Sequence, residues 1–499
     1  MPELFMRYSN LNFRSKLLCP TFLLIVLLVG SFTSQAQTKD LYSYQDLSHI
    51  YYLKQKDSLQ KSWTCPQLYQ NKETQKKYKD FWDSRTDFIS NAIMGKNFVH
   101  DKEVYDYINS IIAQIVAGNK KQLPIQPLLL IDRSSAVNAY AIGGNIIAVN
   151  LGLISFADTR EDIALTIAHE LSHNILNHTD NAIKEKAEWL TSDAYKQSVN
   201  AVLDSKYERY TRLKKVLEGY SFNRSKHQRY HESDADSLAV VLLKNSNITF
   251  NPSFFLKLDS ADMQYKQPLQ NQLKKSFAAY NLPFDDVWTQ KHTRGLSTHN
   301  YSFKDTTVMA DSLKTHPDCI IRYNALLSQA TPNATTTPVP AVIKEKATKM
   351  LIWNLFDNQD LTACLYRVLQ QKDKGATDDW YDMMMYTVFS GLYYSDKQLS
   401  RFNAIGIMPK EQISKDYYAL QTMLEQMPRE TLEQYCKELN GKSFWQNQPA
   451  DARAFKSLLY TLNFGSEAED DKGKGAVAKL FAASNTTSMY CEFADHFKK

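Results

Sequence analysis

The stretch Thr166-Ile167-Ala168-His169-Glu170-Leu171-Ser172-His173 decides how the rest of the chain is read. It is an H-E-x-x-H motif inside a segment of helical periodicity. Ile163, Ile167, Leu171 and Ile175 form one apolar stripe through residues 160 to 178, and Thr166, His169, Glu170 and His173 lie off it. Residues four apart on an α-helix return to nearly the same face, so His169 and His173 present two imidazoles side by side, as zinc requires of neighbouring ligands. Glu170 stands beside them, where a carboxylate can take a proton from a metal-bound water. Histidines on a polar helix face are often merely solvated, but a Glu between them at this spacing favours the metal.

About 60 residues on, His231-Glu232-Ser233-Asp234-Ala235-Asp236 runs into the apolar Leu238-Ala239-Val240-Val241-Leu242-Leu243. The apolar run predicts a helix, with Glu232 and Asp236 sharing a face at i and i+4. Two readings are open. The acids could mark a helix start, where the dipole favours negative charge. Alternatively, Glu232 is a third metal ligand, and Asp236 accepts a hydrogen bond from a ligating His and fixes its tautomer. The upstream motif favours the second reading.

Upstream, Val104, Ile108, Ile111, Ile112 and Ile115 predict an amphipathic helix ended by Gly118, and Leu128-Leu129-Leu130-Ile131 a buried strand. Residues 137 to 142 and 145 to 150 are two β-prone runs joined by Gly143-Gly144, which predicts a hairpin. Spacing alone favours a plain core hairpin. The functional alternative is a sheet edge that takes an extended peptide as one more strand. Residues 181 to 218, rich in Lys and Glu, are expected as a solvated helix or helical hairpin covering the site.

The chain has 499 residues, 43% apolar and 23% charged, as in ordinary globular proteins of two or three domains. A net charge of +5 is no nucleic-acid-binding stripe. Arg7, Arg14 and Lys16, the apolar run from Leu17 to Val29, and Ser34-Gln35-Ala36 resemble a secretory signal with its cleavage site; its removal leaves a charge of +3. An uncleaved anchor is the rival reading, for which the run is short. No later segment is long and apolar enough to span a membrane, so a periplasmic or secreted location is expected. The organisation expected is a signal peptide over 1–36, an N-terminal helical segment over 37–84, a catalytic domain over 85–330, a Thr- and Pro-rich linker over 331–345 and a helical domain over 346–499. In that last domain Leu351, Leu355, Trp380, Met384, Phe389 and Leu392 read as helix-core residues. Met383-Met384-Met385 reads as packed core in preference to an adaptable binding surface. Five cysteines remain after residue 36, with no C-x-x-C pair, so cysteine-based zinc binding is not expected.

These blocks resemble the zinc metallopeptidase family that includes HtpX, the CAAX prenyl endopeptidases and the periplasmic BepA-like proteases. The matching residues are Val137-Asn138-Ala139-Tyr140-Ala141-Ile142-Gly143-Gly144 with Leu151-Gly152-Leu153-Ile154; His169-Glu170-Leu171-Ser172-His173 with His178; Glu232-Ser233-Asp234-Ala235-Asp236; and Thr315-His316-Pro317 with Arg322. They span roughly residues 85 to 330. The resemblance implies an α+β, mainly α fold: a zincin-like catalytic domain with a small antiparallel sheet, followed by an all-α region of repeat-like helices. It implies that His169, His173 and Glu232 bind one Zn2+ per chain, that Glu170 is the general base, and that Asp236 orients a ligand His. Asn138, Ala139, Tyr140 and Ala141 would lie on the strand that receives substrate. His316 and Arg322 would sit at the site mouth, stabilising the oxyanion or letting the His cap the zinc. Membrane segments of the HtpX and prenyl-endopeptidase kind are missing, which argues against a prenyl or intramembrane substrate. The expected activity is endopeptidase cleavage of unfolded or misfolded envelope polypeptides, with an envelope complex as a partner of the C-terminal helices. The competing expectation is a chaperone or assembly factor whose proteolysis is gated or minor.

Overall fold

The computed structural model describes residues 63–94, 97–261, 264–290, 319–332, 335–486 and 488–497, with Tyr52, Lys54, Lys56 and Lys61, and only the backbone within 217–229. The signal-like segment and His316 lie outside the described residues.

Helix α1 (Lys72–Met94) crosses the expected boundary at 84–85 without a break. Strand β1 (Phe98–Val99) follows, then α2 (Lys102–Gly118), whose first turn is capped by the Asp101 carboxylate. Strands β2 (Leu128–Asp132), β3 (Ala139–Gly143) and β4 (Ile146–Asn150) complete one sheet of order β1-β2-β4-β3. The β3–β4 hairpin is antiparallel as its Gly-Gly turn predicts, but β2 runs parallel to β4, so the sheet is mixed. The hairpin folds back so that β4 takes the inner position and β3 becomes the edge strand.

Both faces of the sheet are covered, which explains why β2 and β4 read as continuous apolar runs. Leu129, Ile131, Ile147 and Val149 point into the main core; the alternate Leu130, Ile146 and Ala148 pack with Ile89 and Ile93 of α1. At the hairpin turn Gly144 has φ +57°, and a Cβ there would lie 2.1 Å from the Trp63 ring. Only glycine fits that position. Arg85 of α1 lies 4.3 Å from both the Trp63 and Trp82 rings and is ion-paired with Asp180. The N-terminal residues thus brace the turn against the start of the next helical layer.

That layer comprises α3 (Leu151–Phe156), α4 (Arg160–Ile175), α5 (His178–Thr191), α6 (Asp193–Leu203) and α7 (Arg209–Asn245). Helices α8 (Ser253–Asp259), α9 (Leu273–Ala278) and α10 (Cys319–Leu326) follow. The C-terminal region is all helical: α11 (Ala341–Asp357), α12 (Leu361–Asp373), α13 (Asp379–Lys397), α14 (Arg401–Ile405), α15 (Lys415–Gln426), α16 (Arg429–Asn440), α17 (Ala450–Phe464), α18 (Asp471–Ser484) and α19 (Cys491–Asp495). Leu351, Trp380, Phe389, Leu392 and all three of Met383, Met384 and Met385 are buried there, so the methionines are core.

One hydrophobic core runs from α2 to α19. The C-terminal helices therefore do not hang from a loose tether. Thr337 accepts from the Arg160 amide (2.7 Å) and donates its own amide to Glu161 (2.7 Å), while the Val339 amide donates to the Asp158 carbonyl (2.9 Å). The Thr- and Pro-rich stretch lies pinned across the start of α4. Arg133, leaving β2, is paired with Glu492 of α19, which also accepts from the Trp353 indole at 3.0 Å. All five described cysteines are free thiols.

Candidate functional site

Helix α4 is locally well specified. Thr159 and Asp162 form a capping box, with the Asp162 amide on Thr159 Oγ1 (3.2 Å) and the Thr159 amide on Asp162 Oδ2 (3.1 Å). Ile163, Ile167 and Leu171 are buried on the expected stripe. The polar face is buried too: His169 is 4% and Glu170 6% exposed, because α7 packs along it. Solvated histidines are thereby excluded.

Glu232 and Asp236 project from the interior of α7, a 37-residue helix that begins at Arg209. The helix-start reading of these acids falls, since the dipole's favourable end is more than five turns away. Nε2 of His169 lies 3.0 Å from Nε2 of His173 and 3.2 Å from Glu232 Oε2; His173 Nε2 lies 3.4 Å from Glu232 Oε1. Four ligands at about 2.0–2.1 Å from a tetrahedral zinc would sit about 3.3–3.4 Å apart. The two imidazole nitrogens stand near that spacing from each other, and each stands near it from one of the two Glu232 oxygens. Among the described residues these three side chains make the one His/Cys/Asp/Glu group compact enough to hold a metal.

The backs of both imidazoles are held. Asp236 Oδ1 accepts from His169 Nδ1 at 2.8 Å, turning the Nε2 lone pair towards the cluster. His173 Nδ1 lies 2.8 Å from Nδ1 of His178, whose ring stacks on His231 at 4.2 Å. Burial, and then the neighbouring His231, lower the His178 pKa to about 4. A neutral His178 carrying its proton on Nε2 can accept at Nδ1 from His173 Nδ1–H, the tautomer that leaves His173 Nε2 free to ligate. Burial lowers the pKa of His169, but the hydrogen bonds of Asp236 and Glu232 outweigh it and raise the value to about 9. A metal entering here displaces a proton from that ring.

Arg322, on α10, does not stand at the mouth. Its Nε and Nη2 donate to Asp236 Oδ2 (2.8 Å) and Oδ1 (2.5 Å), and its guanidinium lies 4.4 Å from the Phe255 ring. It reaches the cluster from behind His169, on the side opposite Nε2. Burial raises the Asp236 pKa, but the hydrogen bonds from His169 and Arg322 prevail and hold it below the ordinary carboxylate value.

Glu170 meets the sheet edge. Its Oε2 accepts the Ala141 amide at 2.8 Å, and the Ala141 carbonyl accepts from Thr179 Oγ1 at 3.5 Å. Both groups point away from β4, because β3 pairs to β4 through its alternate residues. Ala141 is therefore committed to α4 and α5. Tyr140 hydrogen-bonds Asp132 at 2.6 Å and packs with the outer core, and Asn138 is exposed beside a buried Ala139. Asn138 lies just before β3, its carbonyl accepting the Asn150 amide at 3.1 Å, and Ala139 is the first residue of the strand. The Glu170–Ala141 and His173–His178 contacts join separate elements; His178, among the residues that match the family, is the one sequence signal for either.

The sequence profile of peptidase family M48 matches residues 103–330. The chain is 24% identical over 165 residues to a putative beta-barrel assembly-enhancing protease of Vibrio cholerae serotype O1, covering 32% of this chain and 34% of that protein. It is 23% identical over 175 residues to the beta-barrel assembly-enhancing protease of Yersinia pestis, covering 34% of this chain and 36% of that one. The similarity thus spans about a third of either relative. Residues 103–330, which carry the whole His169–His173–Glu232 cluster, are a peptidase family M48 domain.

Proposed function

We propose that the chain is an exported zinc-dependent endopeptidase that cuts unfolded or misfolded polypeptides of the cell envelope. The observation that carries this reading is the convergence of His169, His173 and Glu232 at metal-ligand spacing, with a buried Glu170 one residue from the first of them. A zinc ion bound there would lower the pKa of a coordinated water and polarise the scissile carbonyl. Asp236 and His178 hold the two imidazoles in the ligating tautomer. Arg322 acts through Asp236, holding its carboxylate charged against His169. Glu170 takes a proton from water and returns it to the leaving amine. Its bond to the Ala141 amide fixes the carboxylate next to the strand end that would pair with substrate. Docking on Asn138 and Ala139 reads backbone more than side chains, which suits extended chains of varied sequence. A capping role for His316 belongs to the same proposal.

The test is metal content with activity. Purified protein should hold one zinc per chain and cleave an unfolded casein, and both should be lost in His173→Ala and Glu232→Ala. Zinc-free protein that cleaves at the same rate would refute the reading.

A second reading is favoured by the relatives' names, which describe proteases that enhance β-barrel assembly. In it the C-terminal helices bind an envelope assembly complex and proteolysis is occasional. Because those helices share one core with the M48 domain, a partner bound to them could bias the site. Full rescue of a deletion strain by a catalytically dead chain would favour it.

A further inference from the structure

The turn between α6 and α7 exposes side chains that globular surfaces usually hide. Leu203 is 58%, Tyr207 79% and Tyr210 81% exposed, all within eight residues. Among the described residues, the three most exposed tyrosines, Tyr207, Tyr210 and Tyr230, all belong to this hairpin and its long helix. The turn is also strained: Glu208 caps α7 at φ 58°, and its side chain accepts no cap hydrogen bond. A non-glycine residue in the left-handed region costs about 1 kcal/mol or more and persists where its surroundings require it.

The charge at this tip is as distinctive as its apolarity. Residues 203 to 215 contain five basic residues, Lys206, Arg209, Arg212, Lys214 and Lys215, against Asp204 and Glu208, a net +3 in a chain whose total is +5. All five are exposed. Exposed tyrosine rings and a leucine at a helical turn, interspersed with exposed Lys and Arg, match the interface of an anionic bilayer: the rings fit the headgroup level and the cations the lipid phosphates. No helix among the described residues is long and apolar enough to cross a membrane, so contact through this tip would be peripheral.

We infer that the α6–α7 tip docks the protein on an anionic phospholipid surface. Tyr207, Tyr210 and Leu203 enter the interface, and Lys206, Arg209 and Arg212 face the headgroups. The geometry has a consequence for the catalytic cleft. Glu232 lies on the same helix as Arg209, and at 1.5 Å per residue the stretch between them is about 35 Å long. The tip would hold the His169–His173–Glu232 cluster at up to that distance from the lipid, within reach of chains projecting from the membrane.

The test is co-sedimentation of the full-length protein with vesicles of phosphatidylglycerol and phosphatidylcholine mixed one to two, and with pure phosphatidylcholine. Wild-type protein should pellet with the anionic vesicles, and about 1 M salt, where the Debye length is about 3 Å, should release most of it. Lys206→Glu with Arg209→Glu should weaken binding about tenfold or more. Tyr207→Ser with Tyr210→Ser should weaken it at low salt with an unchanged melting curve and unchanged casein cleavage. Wild-type protein that pellets equally with pure phosphatidylcholine, or tip variants that bind as wild type does, would overturn the inference. So would wild-type protein that ignores the vesicles but binds polyglutamate through the same residues, since the tip would then read acidic polypeptide.

Discussion

Asp236 is the residue through which metal binding and fold stability can be separated. It receives His169 Nδ1 at 2.8 Å and both Arg322 donors, and the side chains of all three are at most 10% exposed. In Asp236→Leu the branched shape stays but the carboxylate goes. Arg322 is then a buried cation without its anion, which costs about 3–5 kcal/mol. His169 also loses the acceptor that fixes its tautomer, and such a loss typically lowers metal affinity about 10–100-fold. The two effects respond differently to a second change. In Asp236→Leu with Arg322→Met the stranded charge is gone and the methionine packs on Phe255, so most of the stability should return. The tautomer is still unfixed, so the affinity should not. Urea unfolding of metal-free protein measures the first quantity, and competition with a zinc chelator the second. If Asp236→Leu binds zinc within twofold of wild type, or if the double variant recovers the affinity, Asp236 does not position the ligand.

Two further predictions concern the frame around the site. Gly144→Ala adds a Cβ 2.1 Å from the Trp63 ring at a φ of +57°, so it should destabilise by about 2–4 kcal/mol and shift tryptophan fluorescence as Trp63 leaves Arg85; an unchanged urea midpoint would contradict the packing. The Asp360 carboxyl, which caps α12, is raised by burial to about 6, above its unfolded value near 4. The folded state therefore holds an extra proton between those values, and stability should fall by up to about 3 kcal/mol as pH rises from 4 through 6. Asp360→Asn should remove that slope, and an equal slope in the variant would reassign it.

Much of the site was legible because helical periodicity is local. His169 and His173 share a face four residues apart, as do Glu232 and Asp236, and each pair can be seen without knowing what lies opposite. The hairpin was legible for a similar reason, since Gly143 and Gly144 sit where positive φ is needed. What could not be read is contact between elements distant in sequence. Nothing near Glu170 signals that its carboxylate will meet the Ala141 amide, and Arg322 carries no mark that it will grip Asp236 from behind. A helix start stayed open as the alternative for the acids at 232 and 236 because the charged segment before them hides the continuity of α7. The Thr- and Pro-rich stretch looked like a free linker because its anchors, Asp158, Arg160 and Glu161, lie far off in sequence.

We propose Glu170 as the base of a metal-dependent peptide hydrolysis. Glu170→Gln keeps an oxygen for the Ala141 amide and leaves His169, His173 and Glu232 untouched, so the fold and the metal site should persist. The decisive measurement is the casein-cleavage rate of zinc-loaded Glu170→Gln against zinc-loaded wild type at neutral pH. One zinc per chain is expected in both, with a rate lower in the variant by about 10²–10⁴-fold. A zinc-replete Glu170→Gln that cleaves at the wild-type rate would contradict it.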